Sequence, residues 1–283
     1  MKVARCRDRA GEVLWAAINP DADTAVPLIG RFEEWAPTAA AGSTAGITDE
    51  RAARPLSSLE VLAPLEPTAK VVCVGLNYRS HVEAFPNAVM PTSPLAFLKA
   101  NTAVIAHGHP MRYPPLTSKL DYEIELVAVV ARPISPNEPP AASLLGYTVG
   151  NDATGRDLQP GPRGHDLYSS KSLDDTSGVG PWITTLDELG PSPDLEMCLA
   201  VNGETRQLDR TSSMEWSVTE LLEYANARTR LLPGDLVFTG TPAGVGSQDG
   251  RFLVPGDVVE ARIERIGTLR NVVTSQQEAP VNA

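Results

Sequence analysis

The longest apolar stretches of the chain include 71–76 and 126–131. Apolar runs of four to six residues with no polar alternate predict strands buried on both faces, and they fall far short of the roughly 20 residues a membrane-crossing helix needs. Alternating or β-branched patterns predict further strands over 120–130, 143–149, 196–202, 235–239 and 257–266, and a first pair over 2–6 and 12–18 around the charged turn Asp8-Arg9-Ala10-Gly11. Helical spacing is scarce. It is carried by 78–85 and by 217–227, where Ser217 and Glu220 form a capping box, and Phe32 to Trp35 predicts the start of a short helix. Pro233-Gly234-Asp235 and Pro255-Gly256-Asp257 each predict a turn that launches a strand. An alternating βαβ pattern and any longer repeat are both missing, which excludes a doubly wound parallel sheet, a solenoid and a propeller. The fold class predicted is α+β, dominated by sheet. Pro55, Pro64 and Pro67 punctuate a connection and place a boundary near residue 66, between a small N-terminal α/β domain (1–65) and a main domain (66–283).

Composition narrows the classes of function. The 283 residues carry 35 Asp plus Glu against 24 Lys plus Arg, a formal net charge of −11. That balance argues against nucleic acid as the partner, because phosphate binding draws on clustered Lys and Arg. A hydrophobic fraction of 42% is too high for a disordered chain. Arg5, Arg7, Asp8 and Arg9 interrupt any apolar core of a signal peptide. Cys6, Cys73 and Cys198 stand far apart without metal-ligand spacing, as free thiols in a reducing compartment would. The expectation is a soluble cytoplasmic protein with a small-molecule partner and no membrane.

The most informative segment for chemistry is 120–130. As a strand it puts Asp121, Glu123 and Glu125 on one face, with neighbouring Cα atoms roughly 6–7 Å apart. Carboxylates crowded at the end of a buried strand repel one another, and a divalent cation would relieve that; hard oxygen ligands select Mg²⁺, Mn²⁺ or Ca²⁺. The same pattern also fits an edge strand with a solvated acidic face. Asn151-Asp152 after the strand at 143–149 offers a further carboxylate, or an ordinary turn. Lys171, further along, offers a cation for such a site, or is an ordinary surface lysine. His81 supplies a proton-transfer group near neutrality, or a structural helix-start histidine. His107-Gly108-His109 has no third ligand at a useful spacing and is read as a loop. The Gly-rich stretch 239–246 lacks the lysine of a P-loop and the context of a dinucleotide site, and no Gly-x-Ser-x-Gly elbow is present.

Taken in order, eight segments resemble the fumarylacetoacetate hydrolase family. They are Val74-Gly75-Leu76-Asn77-Tyr78 with His81; Asp121-Tyr122-Glu123-Ile124-Glu125-Leu126; Gly146-Tyr147 through Asn151-Asp152 to Arg156-Asp157-Leu158-Gln159; Lys171-Ser172-Leu173-Asp174; Gly180-Pro181-Trp182; Val201-Asn202-Gly203-Glu204; Leu232-Pro233-Gly234-Asp235; and Thr239-Gly240-Thr241-Pro242-Ala243-Gly244-Val245-Gly246. The resemblance covers roughly residues 70–273. It implies a β-rich mixed-sheet roll, a homodimer, and a divalent metal, Mg²⁺ or alternatively Mn²⁺ or Ca²⁺, held by Glu123, Glu125 and Asp152. Lys171 matches the family's active-site lysine and His81 its catalytic histidine, and Arg156, Gln159, Thr241 and Tyr78 match positions near the substrate. The implied substrate is a 2-oxo acid or 1,3-dicarbonyl.

One departure bears on the reaction. Many family members carry a glutamate three residues after the histidine, as a pair that positions water; here that place is Ala84, and Glu83 lies one position early. Residues three apart on a helix share a face and residues two apart do not. The first expectation is a metal-dependent hydrolase cleaving a C–C bond in a β-diketo acid of the acylpyruvate or fumarylacetoacetate type, through an enolate. The alternative, favoured by Ala84, is a decarboxylase or an isomerase/tautomerase of a 2-oxo or 2-hydroxy-dienoic acid on the same site. A non-catalytic ligand-binding relative is the third reading. The stretch 159–166 is expected to carry substrate-specific contacts, and 77–91 to form a lid.

Overall fold

The structure, a computed structural model, describes residues 1–161 and 164–275. The chain opens with antiparallel strands β1 (Lys2–Arg7), β2 (Val13–Asn19) and β3 (Thr24–Pro27) and a helix, α1 (Phe32–Ala40). Then come β4 (Val71–Gly75), the short helix α2 (Arg79–Glu83), β5 (Leu95–Lys99), β6 (Ile124–Val130) and β7 (Leu144–Asn151). Helix α3 (Leu167–Lys171) leads into β8 (Ser177–Thr185), followed by the hairpin β9 (Glu196–Val201) and β10 (Glu204–Arg210). Helix α4 (Val218–Asn226), β11 (Leu236–Phe238), β12 (Val258–Ile263) and β13 (Gly267–Thr274) complete it.

Burial decides where the strands sit. Every residue of β6, β7 and β11 is buried, and these largely apolar strands occupy the middle of one large sheet ordered β3-β2-β1-β8-β7-β6-β11-β4-β5. The sheet is mixed: β11 and β4 run parallel, the other neighbours in that order antiparallel. A second sheet, β10-β9-β12-β13 with the strand Pro110–Arg112, packs over one face. Its strand β9 alternates half-buried and buried residues, the signature of a sheet with one dry side. Ile124, Leu126, Ala128 and Val130 of β6 share a core with Met197, Leu199, Ala261 and Ile263 of this second sheet, while Val127 and Val129 point the other way, toward Phe32, Trp35 and Phe238. The class is α+β and mostly sheet.

Across the boundary expected near residue 66 the sheet is continuous, with Val3 opposite Ile183. The aromatic trio Trp15, Phe32 and Trp35, with ring centroids 4.7–5.4 Å apart, belongs to the same core cluster as Val71 and Val127. The N-terminal segment thus extends the main sheet and covers one face of it.

The strand expected over 120–130 breaks in two, Leu120–Asp121 and β6. The reason lies in the backbone donors between the pieces. Tyr122 N donates to Asp121 Oδ1, Glu123 N to Asn151 Oδ1 and Ile124 N to Gln207 Oε1, each at 2.9 Å, so side chains take the place of a neighbouring strand. The alternation that would keep Asp121 in line with Glu123 and Glu125 is lost at that break. The capping box of α4 forms as the sequence predicts.

Candidate metal centre and adjoining cavity

Glu123 and Glu125 stand at the start of β6, and Asp152 follows directly on the end of β7, the strand paired with it. Asp152 N donates to Glu123 O at 2.8 Å, which ties the two strand ends together. One carboxylate oxygen from each of Glu123, Glu125 and Asp152 lies within 4.8 Å of the others, and all three residues are buried. Asp121, on the far side of the strand break, does not join them. It accepts from Gly246 N at 2.7 Å and Ser247 N at 3.0 Å and pairs with Arg156 Nε at 2.7 Å.

Three cations face the carboxylates. Lys171 Nζ, at the end of α3, lies 2.5 Å from Glu123 Oε2 and 2.6 Å from Asp152 Oδ2. Arg156 Nη2 lies 2.5 Å from Glu123 Oε1. Lys99, at the end of β5, is buried with Nζ 2.9 Å from Asp152 Oδ1 and donates to Ser177 Oγ at 2.9 Å and to the Lys171 carbonyl. Burial alone would raise the Glu123 pKa, but Lys171 and Arg156 hold it down to about 2. Glu125 fares differently. It has no cation bonded to it among the described residues and accepts from Gly240 N at 2.7 Å; burial, with the charges of Asp152 and Glu123, pushes its pKa well above the ordinary carboxylate range.

These contacts test the fit of a cation. Four carboxyl groups (Asp121, Glu123, Glu125, Asp152) face three cations (Lys99, Lys171, Arg156), so charge balances only while Glu125 stays protonated, and a bound cation would let it ionise. Asp152 Oδ1 is fully buried and, among the described residues, accepts no aligned hydrogen bond, although Lys99 Nζ is 2.9 Å away. An orphaned carboxylate oxygen beside a carboxyl group that resists ionisation is a donor set suited to a hard divalent ion.

The loop that presents Gly240 is fixed from behind. Asn77, fully buried, donates through Nδ2 to Thr239 O at 2.7 Å and Trp216 O at 3.1 Å and accepts from Trp216 N at 2.8 Å. Gly240 has φ +97°, and a Cβ there would come within 2.7 Å of Asn77 Cβ, so the close approach that aims its N–H at Glu125 requires glycine.

A cavity of about 470 Å³ opens beside the carboxylates. Glu123, Glu125, Arg156, Gln159, Lys171 and Thr241 line it, as does His81. The His81 ring is buried, its Nδ1 has no hydrogen-bond partner among the described residues, and burial lowers its pKa despite the opposing charge of Glu123, so the imidazole is neutral at pH 7. Eight of the nine residues singled out from the sequence thus border the cavity or the cluster; Tyr78 does not. Its side chain is fully buried in the core and its hydroxyl donates to Met197 Sδ at 3.2 Å. Glu83 and Ala84 are exposed at the end of α2 and do not line the cavity. Of the stretch 159–166, Gln159 and His165 line it, while Pro162 and Arg163 lie outside the described residues.

Two residues of the site carry no sequence signal. Lys99 reads as a surface lysine at the end of a strand. Gln207, in β10, donates to Thr241 Oγ1 at 2.9 Å and accepts from Ile124 N, so it joins one side of the cavity to the start of β6. Only the register of strands distant in sequence brings either to the centre.

Residues 70–274 match the family of the fumarylacetoacetate hydrolase C-terminal domain. A protein of Mycobacterium tuberculosis is 41% identical over 231 residues, 77% of this chain and 80% of that one. The oxaloacetate tautomerase YisK of Bacillus subtilis is 36% identical over 225 residues, 77% of this chain and 74% of its own. Among solved structures, a 2-hydroxyhepta-2,4-diene-1,7-dioate isomerase from Mycobacterium marinum superposes with a TM-score of 0.80 at 35% identity, covering 98% of this chain and 100% of that chain.

Proposed function

Because the chain belongs to the fumarylacetoacetate hydrolase family, whose members are enzymes, we propose that it is a divalent-metal-dependent isomerase or tautomerase that interconverts the keto and enol forms of a 2-oxo acid. Glu123, Glu125 and Asp152 would hold the metal, Mg²⁺ or Mn²⁺ by the hardness of the donors. When bound, it supplies a Lewis acid for the carboxylate and keto oxygens of such a substrate. Lys171 and Arg156 place fixed positive charge where negative charge develops on the enol oxygen, and their ion pairs with Glu123 hold them there without reorganisation. His81, neutral and with Nδ1 free of protein partners, removes or returns the proton on the carbon next to the carbonyl. Thr241, oriented by Gln207, and Gln159 bind the rest of the substrate.

The observation that favours isomerisation over hydrolysis is at His81. Among the described residues no carboxylate bonds its ring, and the two candidates for a water-positioning partner, Glu83 and position 84, are exposed outside the cavity. Proton transfer to and from carbon needs one base; hydrolysis needs water held for attack as well. A hydrolase acting on acylpyruvates or related β-diketo acids remains the second reading, supported by the complete set of carboxylates and Lys171.

The test is a spectroscopic assay with Mg²⁺ or Mn²⁺, using enol oxaloacetate, 2-hydroxy-dienoic acids and acylpyruvates. Decay of enol absorbance without pyruvate formation is the expected result. Pyruvate formed from an acylpyruvate together with one equivalent of the carboxylic acid would establish the second reading, and pyruvate formed from oxaloacetate together with CO₂ would make the enzyme a decarboxylase.

A further inference from the structure

The cavity has two unlike halves, and both walls show how the change is built. Along β5, Lys99, Phe97 and Leu95 share a face, because strand residues two apart point the same way. Lys99 is buried against Asp152, the half-buried Phe97 ring has its centroid 5.9 Å from Lys171 Nζ, and Leu95 lies at the rim, 38% exposed. From Lys99 to Leu95 is about 13 Å of strand. A second wall repeats the order: His81 is buried at the inner end, Phe85 meets it edge-on with centroids 5.4 Å apart, and Val89 beyond it is 82% exposed. The cations of the lining among the described residues, Arg156 and Lys171, are held at the inner end by Asp121, Glu123 and Asp152. A volume of about 470 Å³ exceeds what a four-carbon diacid fills.

We propose that the outer half, walled by Phe85, Val89, Leu95 and Phe97, is a subsite for an uncharged apolar tail, so that the preferred substrate is a 2-oxo acid extended by an alkyl or aryl chain and not a short dicarboxylate. The inference rests on the inner half binding a 2-oxo acid, as proposed above. Apolar side chains left facing water at a cavity rim gain when a ligand chain covers them, whereas a terminal carboxylate lying against Phe85, Val89 and Leu95 would lose water to side chains that offer it no charge or hydrogen bond.

The experiment compares acetyl-, butyryl- and hexanoylpyruvate with succinylpyruvate and oxaloacetate, each by kcat/KM for loss of the enol and by calorimetric binding to the Mg²⁺-loaded protein. Both quantities are expected to rise about threefold per added methylene, with succinylpyruvate well below the alkyl compound of equal length. Leu95→Arg, at the sheet edge, is expected to flatten the series and favour succinylpyruvate. A preference for succinylpyruvate in the parent protein, or affinity indifferent to chain length, would overturn the inference. The two failures separate cleanly: oxaloacetate turned over with no chain-length dependence would sink the subsite and keep the reaction, and affinity growing with chain length without turnover of any compound would do the reverse.

Discussion

The inner and outer ends of the cavity are built on opposite terms. At the inner end Glu123, Asp152, Lys99 and Lys171 are buried and ion-paired on strands and a helix that pack from three directions, so each side chain has one place to be. At the outer end Val89 and Leu95 are exposed and apolar, on a sheet edge and on the segment after a five-residue helix. Charges removed from water must be held by their partners, and this fixes the inner end; the outer end tolerates change because little depends on it until a ligand arrives. On the proposed reading, the chemistry sits on the ion-paired inner part and selectivity on the outer part, where substitution disturbs little else.

The largest effect expected is from Lys99→Met. It leaves Asp152 partly uncompensated and is expected to lower stability by about 3–5 kcal/mol in denaturant unfolding; a loss below 1 kcal/mol would show that the inner end is not held by its ion pairs. Glu125→Ala should retain the fold yet lose about a thousandfold in kcat, together with the rise in Tm on adding Mg²⁺. A metal-dependent Tm rise that survives Glu125→Ala would place the ion elsewhere. Chelation of the parent protein should reproduce the same loss. For His81→Ala a decrease of about a hundredfold or more is expected in enolisation, measured by exchange of the substrate's C3 protons with solvent; unchanged exchange would remove His81 as the base.

Smaller effects sharpen the contrast at the rim. Glu83→Ala should leave kcat within about twofold, since the residue is exposed outside the cavity; a tenfold fall would show that Glu83 reaches the substrate. Val89→Ala should change stability by no more than about 0.5 kcal/mol and act on KM for chain-extended substrates alone.

Legibility in the sequence followed the same division. Runs such as Leu126 to Val130 identified central strands because a strand dry on both faces has no polar alternate to disguise it. Ser217 and Glu220 announced α4 because the cap is a local bond. Strand β8 announced itself poorly, with Gly178, Gly180 and Pro181 inside it, since pairing with β1 and β7 outweighs their low strand preference. Strict alternation would have kept Asp121 with Glu123 and Glu125; three side-chain acceptors broke the strand and turned Asp121 toward Arg156 and Gly246. Tyr78 shows the converse, a residue next to the site in sequence whose side chain the core takes.

By itself the sequence determined the class of fold, the buried strands, the family and the three carboxylates at two strand ends, because these are properties of local pattern and of ordered motifs. The tertiary structure alone decided that Lys99 and Gln207 belong to the centre, that Asp121 turns to Arg156 and away from the other three carboxylates, that Tyr78 enters the core, and that the cavity passes from charge to apolar surface. Each depends on which distant strands lie side by side, and on burial, which changes what a charged or polar group needs but leaves no mark on the residue's own letter.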